Sequence, residues 1–180
     1  MTDISNEHDT GLALPTILPI LTGKRIELRT MGVDDAPVLL EIYGDPSVMR
    51  YTDERPFENV ETVFVMLRSV QTLLGQGESL EWAVVPLGSE TAIGTCGLHT
   101  FDRALRSAEV GCLLRRSAWG NGYMSEAITL MTKYAKDHLG VCRLVADVHS
   151  DNTRAQQLFS KLGFRRDDAE SWVLGFVDPR

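Results

Sequence analysis

The run LLRRSAWGNGYMSEA at residues 113–127 constrains this chain more than any other stretch: an apolar segment ends, Gly120 and Gly122 follow one residue apart, and helix-forming sequence begins at once. It reads as a strand handed to a helix through an anion-binding turn. Glycines at this spacing let the backbone approach a ligand. The free N–H groups of the first helical turn, backed by the helix dipole, favour phosphate oxygens. That geometry suits a pyrophosphate. A dinucleotide fingerprint needs a third Gly or Ala three residues after the second glycine, where Ser125 stands, and a P-loop needs Lys after it, where Tyr123 stands. Neither pattern fits, and taken alone Gly-x-Gly equally marks an ordinary glycine-rich loop.

A chain of 180 residues, 43% hydrophobic and 24% charged, suits one α/β domain with a sizeable core. Its 18 basic and 25 acidic residues leave a net charge of -7, which argues against a nucleic-acid surface and favours cationic or amine-bearing partners. Cys96, Cys112 and Cys142 lack C-x-x-C pairing and lie in apolar runs, as small hydrophobes of a reducing compartment do, and point to neither disulfide nor metal. Asp3, Glu7 and Asp9 stand where a signal peptide is basic, and no apolar run approaches the ~18 residues of a membrane span. The expectation is a cytoplasmic protein with no membrane or nucleic-acid partner.

Residues 1–20 lack sustained periodicity, hold Pro15 and Pro19, and read as a partly flexible extension before a domain at 21–180, with Leu18, Ile20 and Leu21 able to pack onto it. KRIELRT from Lys24 alternates as a half-buried strand. A helix is predicted over 34–43, with Asp34 and Asp35 suiting its N-terminal dipole and Gly44-Asp45-Pro46 ending it. A second helix is predicted over 59–74, with Val63, Met66, Leu67, Val70 and Leu74 at helical spacing and Gly75 as the stop. Residues 80–85 and 92–98 read as a hairpin, and 107–114 as the strand entering the glycine turn. Gly111 inside that strand marks a bulge or a close backbone approach. A helix over 122–139 closed by Gly140, a near-continuous apolar strand at 141–148, a helix over 153–162 stopped by Gly163, and a last pair of strands over 164–177 complete the order.

With "RIELRT…DDA", "AEVGCLL…AWGNGYMSEA" and "NTRAQQLFSKLGF" in this order, the chain resembles the GNAT acetyltransferase superfamily over about residues 21–177, and within it the RimJ/RimL ribosomal-protein N-acetyltransferases. The resemblance implies an α/β (α+β) fold: a mixed, mostly antiparallel sheet of about seven strands splayed in a V, with about four helices. It implies acetyl-CoA as co-substrate, with no metal. The backbone of Cys112, Leu113, Leu114 and Arg115 would pair with the pantetheine arm, completing the splayed strand edge as a pseudo-strand. The N–H groups of Trp119, Gly120, Asn121, Gly122, Tyr123 and Met124 would take the pyrophosphate. Asn152 matches the asparagine that bonds the cofactor arm and equally suits a helix N-cap, while Phe159 would lie near the thioester.

In such enzymes an amine attacks the thioester directly. The site must take a proton from an ammonium, stabilise an oxyanion and protonate the leaving thiolate. Glu109 is the first candidate for the base, against a solvent-facing strand glutamate, with His99, Asp147 and His149 behind it. A backbone N–H near Leu113 is the natural oxyanion donor. Ala155 and Phe159 stand where relatives carry a proton-donating serine or tyrosine, and Ser117 replaces the usual Arg or Gln before the glycines. Water, or one of Ser150, Ser160 and Tyr123, is left as the acid. The expected acceptor is a protein N-terminal α-amine or a small amine; an antibiotic or polyamine, and a CoA-binding regulatory protein with little turnover, are the alternatives. Oligomeric state, a homodimer included, is open.

Overall fold

The computed structural model describes residues 11–168 and 170–176. One eight-stranded sheet runs in the order β1 (Leu21–Thr22), β2 (Ile26–Arg29), β3 (Ser79–Pro86), β4 (Gly94–Asp102), β5 (Ser107–Leu114), β6 (Arg143–Asp147), β8 (Ser171–Gly175) and β7 (Arg165–Arg166). Every neighbouring pair is antiparallel except β5 and β6. The helices are α1 (Ala36–Tyr43), α2 (Pro46–Met49), α3 (Val60–Gln76), α4 (Tyr123–Tyr134) and α5 (Thr153–Lys161). The mixed, mostly antiparallel class expected from the sequence holds. The extra strands are two-residue pairings at the sheet edges, and α2 is a single turn that Pro46 starts and Asp45 caps through the N–H of Ser47.

Strand alternation builds two cores. Leu80, Trp82 and Val84 point to the face covered by Ala127, Ile128 and Met131 of α4, whereas Ala83 and Val85 meet Leu39 and Ile42 of α1 and Val63 and Leu67 of α3. Each fully buried large side chain contributes about 1.5–3 kcal/mol. The segment before β1 is tied into the first core: Leu12 and Leu18 are buried, the Ala13 N–H donates to the Leu139 carbonyl, and Trp82 Nε1 donates to the Pro19 carbonyl at 2.8 Å.

Gly75 does not stop α3. The helix runs two residues further and ends at Gly77, whose φ of 69° allows the left-handed cap and leaves its N–H to close on the Leu73 and Leu74 carbonyls. Nor does Asp35 serve mainly the dipole of α1. It forms a two-pronged pair with Arg29 of β2 at 2.8 Å on each prong and also accepts the Gly32 N–H. The last residues of the expected final strand pair, from 177 on, lie outside the described residues, as does the start of the N-terminal segment.

Candidate active site

β5 and β6 share three rungs, the last joining Glu109 to Val145, and then part. The Arg115 N–H donates to the Ile93 carbonyl of the segment before β4. Ladder alternation therefore turns the amides of Glu109, Gly111 and Leu113 towards β4 and those of Cys112 and Leu114 towards the split. Beyond the last rung these slot-facing groups have no partner strand. An extended ligand arm can complete them.

At the open end of the split, β5 runs through a short turn into α4. Gly120 and Gly122 have φ of 78° and 76°, a left-handed backbone that aims the first amides of α4 at the cleft; Gly122 is the N-cap and has no side chain to occupy them. Two cations flank this end. Arg25 lies 5.1 Å from the Tyr123 ring and donates to the Asn121 carbonyl, and the Arg154 guanidinium stacks 3.7 Å over the Trp119 ring. Neither arginine is marked by the local sequence, because each reaches the turn from another element.

Around the split lies a cleft of about 670 Å3, lined by β5, the glycine turn, the start of α4, the end of β6, α5, residues 47 and 48 of α2, and residues 51–53 after it. Glu109, Cys112, Leu113, Leu114, Trp119, Gly120, Gly122, Tyr123, Met124, Asn152 and Phe159 all line it. Arg115 and Asn121 do not. Arg115 spends its amide on Ile93 and pairs with Glu41 at 3.5 Å, and the Asn121 side chain donates back to the Ala118 and Trp119 carbonyls. Leu113 is in the wall, but its amide faces Thr95 of β4, so the donors open to the slot belong to its neighbours. Asn152 caps α5, its Oδ1 accepting the Ala155 N–H at 3.2 Å, which leaves its amide nitrogen to the cleft.

Of the other base candidates, His99 and Asp147 line the cleft; His149 instead accepts the Asp151 N–H and sits against the Tyr51 ring. His99 ends the regular part of β4. A bulge follows it, with Thr100 at φ 50°, and such bulges re-aim the adjacent side chain. The ring folds over Gly111, where a Cβ would stand 3.2 Å from Nε2, and its Nδ1 lies 3.0 Å from the Thr100 hydroxyl and 3.6 Å from Glu109 Oε2. Gly111 therefore makes room for a side chain rather than forming the bulge itself. Ala155 and Phe159 are in the wall and offer no proton; Tyr123 is the one of the three acid candidates that reaches it.

A split sheet with slot-facing amides that ends at an anion-binding turn is the architecture of a protein that takes a long acyl-carrying arm with a pyrophosphate at its far end. A family model described as the acetyltransferase (GNAT) domain matches residues 25–165, and the chain belongs to that family. It is an N-acetyltransferase that uses acetyl-CoA as co-substrate. The chain is 31% identical to the uncharacterized N-acetyltransferase p20 of Bacillus licheniformis, covering 80% of this chain and 81% of that one. It is 27% identical to the spermidine N(1)-acetyltransferase of Escherichia coli K12, over 77% of this chain and 72% of the other. In fold it is similar to Mycobacterium smegmatis RimJ, solved with CoA-disulfide, at a TM-score of 0.81 and 16% identity, covering 91% and 90% of the two chains. Among the described residues no group of His, Cys, Asp and Glu is placed to hold a metal ion, and no helix is long and apolar enough to cross a membrane.

Proposed function

We propose that the protein transfers the acetyl group to a primary amine by direct attack in a ternary complex, with a peptide N-terminal α-amine or a small amine as acceptor. The observation that carries this reading is the position of His99 beside Glu109 at the vertex of the split, where an arm lying along Cys112 and Leu114 brings its thioester. Acetyl-CoA supplies the activated acyl carbon. The amides of the glycine turn and α4 hold its pyrophosphate, with Arg25 and Arg154 beside them, and Asn152 steadies the arm. The Cys112 N–H donates to the oxygen that gains charge.

His99, with Glu109 Oε2 3.6 Å from its Nδ1, takes the acceptor's proton. An α-amine, with a pKa of about 8 against about 10.4 for lysine, asks less of such a base. With Ala155 and Phe159 in the wall, the leaving thiolate takes its proton from water in the open cleft. The RimJ/RimL-like signatures and the fold likeness to RimJ support the peptide acceptor.

A polyamine is the second reading. Asp53, Glu109 and Asp147 put three carboxylates on the acceptor side of the cleft, and the spermidine-acetylating relative is similar over most of both chains. Incubation with acetyl-CoA, peptides of varied N-terminal residue, small amines and spermidine, with products identified by mass spectrometry, decides between them. Peptide acetylation alone supports the first reading and spermidine acetylation alone the second. Acetylation of no amine overturns both.

A further inference from the structure

Glu81, on β3 behind the cleft wall, is a carboxylate that the proposed reaction leaves unused. Its side chain crosses the sheet over Gly97, directly opposite on β4, and occupies the space that a Cβ at Gly97 would need. Gly97 is itself opposite Gly111 of β5, whose missing Cβ makes room for the His99 ring. Two facing glycines thus clear a lane across the sheet from β3 to the cleft. Cβ positions of such a cross-strand pair lie about 5 Å apart, the span bridged by one water.

Nothing else in the surroundings explains a carboxylate there. The hydrogen bond that Glu81 accepts comes from the Ser79 hydroxyl at 3.1 Å, and no Lys or Arg among the described residues compensates it. Burial pushes its pKa up to about 7, with the Ser79 bond opposing. The titratable groups around it are Tyr43 from α1, Cys96 from β4 and Cys112 from β5, with His99 and Glu109 one row along the same sheet face. Burial and the nearby Glu81 raise the first three, so they are neutral and hold no countercharge. α3 covers this face with apolar Val63 and Leu67. Glu81 thus stands half-buried without a countercharge, bonded to Ser79 alone.

We propose that Glu81 is the proton acceptor behind His99 in the acetyl transfer, reached along the Gly97–Gly111 lane through a bridging water. This rests on the amine-acetylation reading above. The acceptor ammonium gives one proton to His99, which passes it to Glu81 and regains its neutral form. The freed amine nitrogen bonds to the acyl carbon, and the C–S bond breaks with its electron pair on sulfur. The second proton of the nitrogen passes to cleft water, which protonates that sulfur. Glu81 then releases its proton to solvent, so the net products are the amide, the free thiol and one proton. Acting through His99, Glu81 is a positioning and relay residue rather than a catalytic one.

The test combines 13C NMR titration of glutamate carboxyls, which needs no turnover, with pH profiles of kcat for the wild type, Glu81→Gln and Ser79→Ala. Expected is a carboxyl resonance titrating near pH 7 that is absent in Glu81→Gln, moves to higher pH in Ser79→Ala, and changes midpoint in His99→Gln. Expected as well is a 10- to 100-fold loss of kcat in Glu81→Gln with its acidic limb gone and KM for acetyl-CoA within about twofold, and an acidic limb shifted upward in Ser79→Ala. Should Glu81→Gln fail to fold, Ser79→Ala carries the kinetic arm. A resonance in the ordinary carboxylate range, or one indifferent to His99, overturns the proposal, as does a Glu81→Gln enzyme with the wild-type profile. A coupled resonance in a protein that acetylates no amine supports the proton exchange and overturns the assigned reaction instead.

Discussion

Glu126, in the first turn of α4, accepts the backbone N–H groups of Lys24 and Arg25 at 2.6 and 2.8 Å and the Arg25 Nε at 3.0 Å. One carboxylate thereby fastens the entrance of β2 to the helix that follows the glycine turn, and Arg25 extends the link to the Asn121 carbonyl in that turn.

Glu126→Ala is expected to destabilise the fold by about 1–3 kcal/mol, since three charge-assisted hydrogen bonds are lost at once. For a chain of this size each kcal/mol lowers Tm by about 2–4 °C, which a thermal melt reads directly. Burial raises the Glu126 pKa, but the Arg25 and Lys24 bonds outweigh it and the net shift is downward. A depressed carboxylate adds stability above its unfolded pKa of about 4.3, and that stability is lost as pH falls through the folded value. The gap between wild type and variant should therefore close below pH 4.

Asp35 is buried with its two-pronged Arg29 pair, and that guanidinium also holds the Glu90 carbonyl at 2.9 Å. Asp35→Ala leaves Arg29 part-exposed and bonded to the Thr30 and Glu90 carbonyls, and should cost about 1–3 kcal/mol. Denaturant unfolding measures it. A variant within 1 kcal/mol of wild type would show that the pair contributes little.

Gly122→Ala forces a side chain into a left-handed backbone with the Arg25 guanidinium 3.3 Å from the new Cβ. The strain of about 1–2 kcal/mol is expected to appear in acetyl-CoA binding, because the turn relaxes by turning its amides away from the pyrophosphate. Calorimetry should find a Kd raised about tenfold with the acceptor KM little changed.

His99→Gln is expected to lower kcat by about 10²- to 10⁴-fold with KM for acetyl-CoA unchanged, the split of a lost general base. Asp147→Asn, a cleft-wall carboxylate without that role, should leave kcat within a few-fold for a peptide acceptor and raise KM for a polyamine. Steady-state kinetics on the four enzyme and acceptor pairings separates the two.

Glu81→Gln should stabilise the fold at alkaline pH. A carboxyl raised from its ordinary value of 4.5 to about 7 keeps its full contribution below about pH 4.3 and loses it as pH rises through 7. At about 1.4 kcal/mol per pKa unit the difference reaches about 3 kcal/mol. Melts at pH 5 and 8.5 should show Glu81→Gln gaining at the higher pH alone.

The glycine turn, the strand before it, the Asn152 cap and the order of the main elements were legible in the sequence because each is set locally: a left-handed φ needs glycine, a cap needs a short polar side chain, and burial on one face needs alternation. The first signature, RIELRT…DDA, was visible as a motif, but its content, a paired Arg29 and Asp35, is a cross-element contact. What only the tertiary structure decided lies across strands and helices. Strand register put His99 beside Glu109, turned the Leu113 amide away from the slot, and laid Glu81 over Gly97, while helix docking brought Arg25 and Arg154 to the turn. Residues 10 to 98 positions apart meet at these sites, and a one-residue slip in register would move each strand residue to the other face of the sheet. Local sequence therefore specifies the glycine turn, and the folded sheet specifies which side chains stand beside it.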